Sequence, residues 1–388
     1  MEHNEALALL VISIGAFIIP LISERIFLPS AVGEIFFGLV LGLFFKNALS
    51  EFPIVKFLGE FGFILLMYLA GLEIDVDKIK GITKKEKFLI SLLFLIVIFL
   101  SIGIVVYFQQ PTIYILVYIA MAIGILYPLL KDTGLINKEI GQKILVIGGI
   151  GEIISLLLIT AFTVYFKYGL STKSVLHIFE IYIFFLIAYF LLKIFSLYMW
   201  WNPNLVQTFL KTGDVTETGI RANFAHMFIF VSLASLLGLE AIIGAFFGGL
   251  LFSMVFKERE EIVEKLSAFG YGFLIPIFFI EVGLRFDLRD FFDKEIFLSA
   301  VILSLVILLI KSSGSLFLIF SNFKISELFL VPFALSMPLT LLVVIATLGL
   351  EIGIIEKKEA TIILLTAIIS ALIYPWIFKI MVKKTNIE

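Results

Sequence analysis

Two charged side chains stand where the surrounding sequence is almost wholly apolar. Glu152 lies in Val146-Ile147-Gly148-Gly149-Ile150-Gly151-Glu152-Ile153-Ile154-Ser155, and Ser155, three residues on, shares its face if the segment is helical. A carboxylate beside a hydroxyl and nearby carbonyls offers hard oxygen ligands, the chemistry of a proton or Na⁺. Gly148, Gly149 and Gly151 leave room for another backbone to approach. Lys311, in Leu308-Leu309-Ile310-Lys311-Ser312-Ser313-Gly314, is the cationic counterpart. It reads either as the functional charge partner of Glu152 or as half of a structural ion pair. Glu281, in Ile277-Phe278-Phe279-Ile280-Glu281-Val282-Gly283, reads equally as a second acid of the site or as an interfacial residue. Glu34, Glu180 and Lys193 lie nearer segment ends and read as structural. His226 has no partner at metal-ligand spacing. With three histidines, no cysteine and no H-E-x-x-H, G-x-S-x-G or Walker A pattern, neither a resident metal, a cofactor nor an enzyme activity is expected.

The elements that carry these residues follow from composition. The 388 residues are 61% hydrophobic and only 15% charged, with a mean hydropathy of +1.14. A soluble domain is about 45–50% apolar and about 25% charged, so a soluble enzyme is excluded. A net charge of -2 argues against a nucleic-acid partner. The apolar runs are continuous rather than alternating, which in a bilayer means helices and not a barrel. An ionised side chain at the bilayer centre costs about 2.5–3.5 kcal/mol or more. Glu152 and Lys311, deep within their runs, are therefore candidates for function.

On a template of about 20 apolar residues per span, the chain reads as an all-α polytopic membrane protein of about thirteen transmembrane helices. They cover 6–23, 28–45, 57–72, 88–108, 112–130, 144–166, 175–200, 223–237, 241–256, 266–284, 296–320, 328–350 and 359–378. Of the 29 Lys and Arg, alternate connections hold 18 and 9, and Lys193 and Lys311 fall inside spans. The richer set faces the cytoplasm, which predicts the N-terminus outside and the C-terminus inside. The first segment lacks the basic start and A-x-A-like site of a cleaved secretory signal and is expected to remain as a helix.

The chain also resembles itself. Gly33-Glu34-Ile35-Phe36-Phe37-Gly38-Leu39 matches Gly244-Ala245-Phe246-Phe247-Gly248-Gly249-Leu250 at an offset of 211 residues, and Gly71-Leu72-Glu73-Ile74-Asp75 matches Gly283-Leu284-Arg285-Phe286-Asp287 at 212. Each pair lies an odd number of spans apart, so the copies cross the membrane in opposite senses. The reading is a single transport domain over 1–388: repeat 1 at 6–166, a linker helix at 175–200, repeat 2 at 223–378, and no soluble regulatory domain. Inverted repeats carry their sites where helices are interrupted at matching positions. Gly124 and Pro128 in the fifth span and Ser336 and Pro338 in the twelfth meet that description, the two prolines lying 210 residues apart. Crossed there, broken helices would expose half-helix ends whose dipoles stabilise an ion.

Leu28-Pro29-Ser30-Ala31-Val32-Gly33-Glu34-Ile35 resembles the opening block of the monovalent cation:proton antiporter-2 family. Phe61 to Asp75, Tyr127 to Leu135, Gly244 to Ser253 and Ile275 to Leu288 are similar to its other blocks, in the family's order and over nearly the whole chain. The resemblance implies a sodium/proton antiporter with a dimerisation part and a mobile core. It implies a homodimer in the cell membrane that exchanges Na⁺ (Li⁺ or K⁺ in some members) for H⁺, serving pH and sodium homeostasis. It gives Glu152 the cation- and proton-binding role, and Lys311 the place of the family's basic residue beside the carboxylates. Two positions depart from the pattern. Gly151 stands where an acid or amide is usual, and Ala122 and Ile123 stand where the first broken helix often has Ser or Thr. The alternative is a sodium-coupled organic-anion symporter built on the same inverted-repeat plan.

Because the chain has no cysteine, the orientation is directly measurable. A single Arg289→Cys is expected to react with an impermeant maleimide on intact cells, and Lys131→Cys only after permeabilisation; the reverse pattern overturns the orientation.

Overall fold

The computed structural model describes residues 3–25, 28–45, 52–74, 83–169, 172–202, 213, 216–256, 260–321 and 323–385. Asp75, used above for the repeat, and several of the Lys and Arg counted for the orientation, Lys78 and Lys80 among them, lie outside them. The described residues contain helices and no strand, as a bilayer requires when each backbone amide must be satisfied within its own segment. In chain order the first half runs α1 (His3–Arg25), α2 (Ser30–Phe45), α3 (Pro53–Glu73), α4 (Lys84–Tyr107), α5 (Tyr114–Ile119), α6 (Leu126–Asp132) and α7 (Glu139–Tyr168). After α8 (Thr172–Trp201) come α9 (Thr218–Leu236), α10 (Ala241–Val255), α11 (Glu260–Phe269), α12 (Ile275–Leu284) and α13 (Leu288–Phe291). The chain finishes with α14 (Lys294–Ser315), α15 (Ile325–Leu328), α16 (Leu330–Leu335), α17 (Leu339–Glu351) and α18 (Lys357–Thr385). Eight helical stretches among the described residues are long and apolar enough to span a bilayer, and shorter apolar helices such as Ala241–Val255 accompany them. This is an all-α, multi-pass membrane protein.

Helix starts recur at the spacing of the sequence repeat: Ser30 and Ala241 are 211 residues apart, Lys84 and Lys294 are 210, and Tyr114 and Ile325 are 211. The chain nevertheless folds into two compact units, each drawing on both halves. Unit 1 comprises Met1–Ile26, Gly33–Asp77 and Thr163–Arg285; unit 2 comprises Phe27–Val32, Lys78–Phe162 and Phe286–Glu388.

Unit 1 is built on glycines at helix crossings, because lipid supplies no hydrophobic drive and close backbone approach must hold the helices together. A Cβ on Gly38 of α2 would lie 2.1 Å from the carbonyl oxygen of Ile280, and one on Gly283 of α12 would lie 2.2 Å from that of Ile35. The second copy repeats the crossing with α3 and α10: Gly249 faces the Tyr68 carbonyl and Gly71 faces the Phe246 carbonyl, each at 2.1 Å. The glycines that align in the sequence repeat are thus those that let the backbones touch. The span Glu260–Leu284 contains one wide turn, a π-helix at Gly270–Leu274, closed by the Ile275 N–H on the Gly270 carbonyl. Pro276 follows at once; it has no N–H to donate and would clash with the carbonyl four residues back, a conflict the wider turn absorbs.

In unit 2, α14 is gripped from two sides. A Cβ on Gly314 would lie 3.1 Å from the Leu93 carbonyl of α4. From α18, the Tyr374 hydroxyl donates to the Ser304 carbonyl at 2.8 Å and lies 2.7 Å from the Ser304 Oγ, and Thr366 Oγ1 donates to the Ala300 carbonyl at 3.2 Å. These contacts fix the helix that carries Lys311.

Gly249→Val puts bulk on the Tyr68 carbonyl and is expected to cost about 1–3 kcal/mol, as overpacking does. Gly103→Val, a position with no heavy atom within 4 Å of its Cβ, is expected to leave stability almost unchanged. Thermal unfolding of the two detergent-solubilised variants checks the contrast.

Candidate functional site

In unit 2 the helix begun at Tyr114 stops at Ile119. Ala120 leaves the helical region (φ -45°, ψ 127°), and helix resumes at Leu126. Gly124 lies inside this gap. Pro128 does not: it is the third residue of α6, in the first turn, where a missing N–H leaves no intrahelical bond unmade. The second interruption runs through Ser336 and Pro338, between α16 and α17. The two gaps meet. Thr340 Cγ2 lies 3.9 Å from the place a Gly124 Cβ would occupy, and Leu335 Cδ2 lies 4.0 Å from the place of one on Gly148.

An interrupted helix in an apolar surrounding leaves backbone groups that must find partners. In the first gap the partners are the side chains singled out above. Lys311 Nζ donates to the Ile119 carbonyl at 2.6 Å, at the C-terminal end of α5. Ser155 Oγ accepts from the Met121 N–H at 3.1 Å while donating to the Gly151 carbonyl at 2.7 Å. Glu152 Oε2 accepts from the Ile123 N–H at 3.3 Å. All three side chains are buried: Lys311 is 0% exposed, Glu152 1% and Ser155 3%. The pattern suits the spacing. Three residues along a helix rise about 4.5 Å, while two along an extended chain rise about 6.6 Å, within the reach of a Glu and a Ser aimed at alternate amides.

Gly151 also faces this gap. A Cβ there would lie 2.5 Å from Met121 Sδ and 2.9 Å from Met121 Cβ, so the methionine occupies the space a side chain at 151 would need. From the second gap comes Ser336, 0% exposed, whose Oγ has no hydrogen-bond partner in the structure. Around the first break the arrangement is a buried carboxylate, a hydroxyl and backbone amides, with an amine at one side. Such a set can hold a proton or a small alkali cation through oxygen.

Glu281 pairs within its own helix. It belongs to unit 1, is 4% exposed, and its Oε1 accepts from Arg285 Nε at 2.7 Å. Glu34, 3% exposed, is also in unit 1. His226 sits against the rings of Phe230 and Phe252, with Nδ1 3.2 Å from the Tyr68 hydroxyl, which donates to Asn223 Oδ1 at 3.0 Å. Lys193 is exposed, 5.8 Å above the Tyr189 ring. Sequence reasoning missed Met121 and the backbone of 119–123. The signal was the glycine at 151, whose vacated space had to be filled.

Over residues 12–384 the chain matches the family described as sodium/hydrogen exchanger, transmembrane. It belongs to that family. Among its relatives, the Na(+)/H(+) antiporter of Enterococcus hirae is 29% identical, over 94% of each chain. The Bacillus subtilis protein YjbQ is 30% identical over 99% of this chain, which spans 64% of that protein's length. The solved sodium proton antiporter MjNhaP1 from Methanocaldococcus jannaschii superposes with a TM-score of 0.67 at 18% identity, over 99% of this chain and 98% of that one. The exchanger family and the fold therefore agree along almost the whole chain.

Lys311→Met removes the donor from a buried carbonyl. It is expected to lower stability by about 1–3 kcal/mol, the cost of an unsatisfied buried polar group. Thermal unfolding of the purified variant measures it, and an unchanged midpoint would show that the Ile119 carbonyl does not depend on the lysine.

Proposed function

We propose that this exchanger-family chain is a secondary antiporter that trades Na⁺ for H⁺ across the cell membrane, with Glu152 as the shared site. The observation that carries the reading is the buried Glu152 carboxylate, held on the backbone of an interrupted helix beside Ser155. A bare carboxylate is costly in a low-dielectric barrier, so it crosses neutralised by one passenger or the other. Downhill movement of one ion then drives the other uphill without ATP. Ser155 and the orphaned hydroxyl of Ser336 supply further oxygens to a dehydrated cation, and Lys311 holds the end of α5 in place. Li⁺ or K⁺ fits the same oxygens with altered affinity.

The division into two units supports an alternating-access scheme in which unit 2 carries the ion and unit 1 anchors it. A homodimer with the N-terminus outside and the C-terminus in the cytoplasm completes the reading. Internally, Glu152 lies in repeat 1 and Lys311 in repeat 2, so the site needs both copies. Glu281, joined to Arg285, serves unit 1 in this scheme rather than binding the ion. The sodium-coupled organic-anion symporter finds no support in the family match or in the relatives named.

Glu152→Gln keeps an oxygen for the Ile123 amide but cannot exchange a proton for a cation. In proteoliposomes it is expected to abolish Na⁺-driven pH change while leaving the protein folded. Retained exchange would remove Glu152 from this role.

A further inference from the structure

The second interruption carries a hydroxyl that the site described above leaves out. Thr340 is the second residue of α17. Other hydroxyls along the helices of unit 2 donate to the carbonyl four residues back in their own helix. Ser101 does so to Val97, Thr160 to Leu156 and Thr366 to Ile362. Thr347, seven residues beyond Thr340 on the same helix, does so to Val343 at 3.0 Å. Four residues back from Thr340 stands Ser336, which lies in the interruption (φ -99°, ψ 20°) and not in a turn of α17. The usual helical acceptor of a threonine hydroxyl is therefore missing, and Thr340 forms no hydrogen bond with another described side chain or backbone group.

This threonine faces room. Of the glycines at the breaks, Gly148 and Gly151 are filled, with Leu126 Cδ2 2.9 Å and Met121 Sδ 2.5 Å from the place of a Cβ. At Gly124 the nearest heavy atom outside its own stretch of chain is Thr340 Cγ2, at 3.9 Å, and no other described residue comes within 4 Å. Exposure follows the same line. Glu152, Ser155 and Ser336 are sealed, whereas Gly124 is only half-buried and Thr340 keeps 8% of its surface open. The opening lies next to Ile123, whose amide Glu152 holds. Residues 120–125 of the first interruption, Ala-Met-Ala-Ile-Gly-Ile, bring no side-chain oxygen to it. The second copy does.

We infer that Thr340 Oγ1 is a cation ligand at the opening beside Gly124, replacing part of the ion's water shell as it reaches Glu152. Oxygens that stand in for hydration are what an alkali cation needs in order to leave water. A proton carries no such shell, so Thr340 acts on the cation side of the exchange alone. The inference rests on Glu152 being the shared site.

Exchange by the full chain in proteoliposomes, measured against Na⁺ concentration, tests it. Thr340→Val keeps the shape and removes the oxygen. It is expected to raise the Na⁺ KM about tenfold, the scale of one lost polar contact to a charge, with kcat at saturating Na⁺ unchanged. Thr340→Ser restores the hydroxyl and is expected to recover the original KM. Thr347→Val makes the same replacement where the hydroxyl is bonded within its own helix, and is expected to leave KM as it was. An unchanged KM in Thr340→Val overturns the inference, as does a fall in kcat alone or a raised KM that Thr340→Ser fails to recover. If Thr340→Val does not fold, Thr340→Ala set against Thr340→Ser makes the same comparison. Glu152→Gln measured alongside separates the two claims: exchange retained by it removes the shared site and this inference with it, whereas its inactivity together with an unchanged KM in Thr340→Val removes only the threonine's role.

Discussion

The structure turns on a debt of hydrogen bonding. A helix stopped at Ile119 and resumed at Leu126 leaves carbonyl and amide groups without partners inside their own helix. Lys311, Ser155 and Glu152 discharge that debt, each taking one backbone group of residues 119–123. The same three side chains are the ones that could handle an ion, so architecture and chemistry are not separable here. A carboxylate that also braces the chain is aimed and held before any passenger arrives, which removes the entropy of ordering it on binding.

Around this break the molecule is doubled. Unit 1 uses the glycine crossing twice, α2 with α12 and α3 with α10, each helix of one copy meeting one of the other. Unit 2 repeats the plan of long helix, broken helix, long helix, but its chemistry is one-sided. The acid sits on the first copy and the amine on the second, and both reach the first gap. The second gap contributes an unbonded hydroxyl at Ser336 instead. Backbone symmetry has been kept where packing demands it and abandoned where the ion would sit.

Much of this was legible from residues alone. Glu152 and Lys311 declared themselves by depth, since burial of a charge in lipid is too costly to be casual. The repeat was visible because the glycines that permit backbone contact cannot be replaced without displacing a carbonyl. What the chain concealed were properties set by distant partners. Nothing near Lys311 names the carbonyl of Ile119 as its acceptor, and nothing near Gly249 names Tyr68. Of the two prolines, Pro338 lies in its interruption, whereas Pro128 marks the turn after the interruption and not the interruption itself, because a first-turn proline forfeits no hydrogen bond. The Glu281–Arg285 pair, at helical spacing i,i+4, was readable and would have assigned that carboxylate a partner at once.

Gly151 and Met121 hold a further consequence. The thioether lies where a side chain at 151 would project, so the two positions, thirty residues apart in the chain, are one packing decision. Adding an acid or amide at 151 collides with sulfur, and trimming Met121 alone opens a void. A larger residue at 151 therefore calls for a smaller or displaced one at 121. The room beside Glu152 is thus set by a methionine from the facing break and not by the helix that carries the acid.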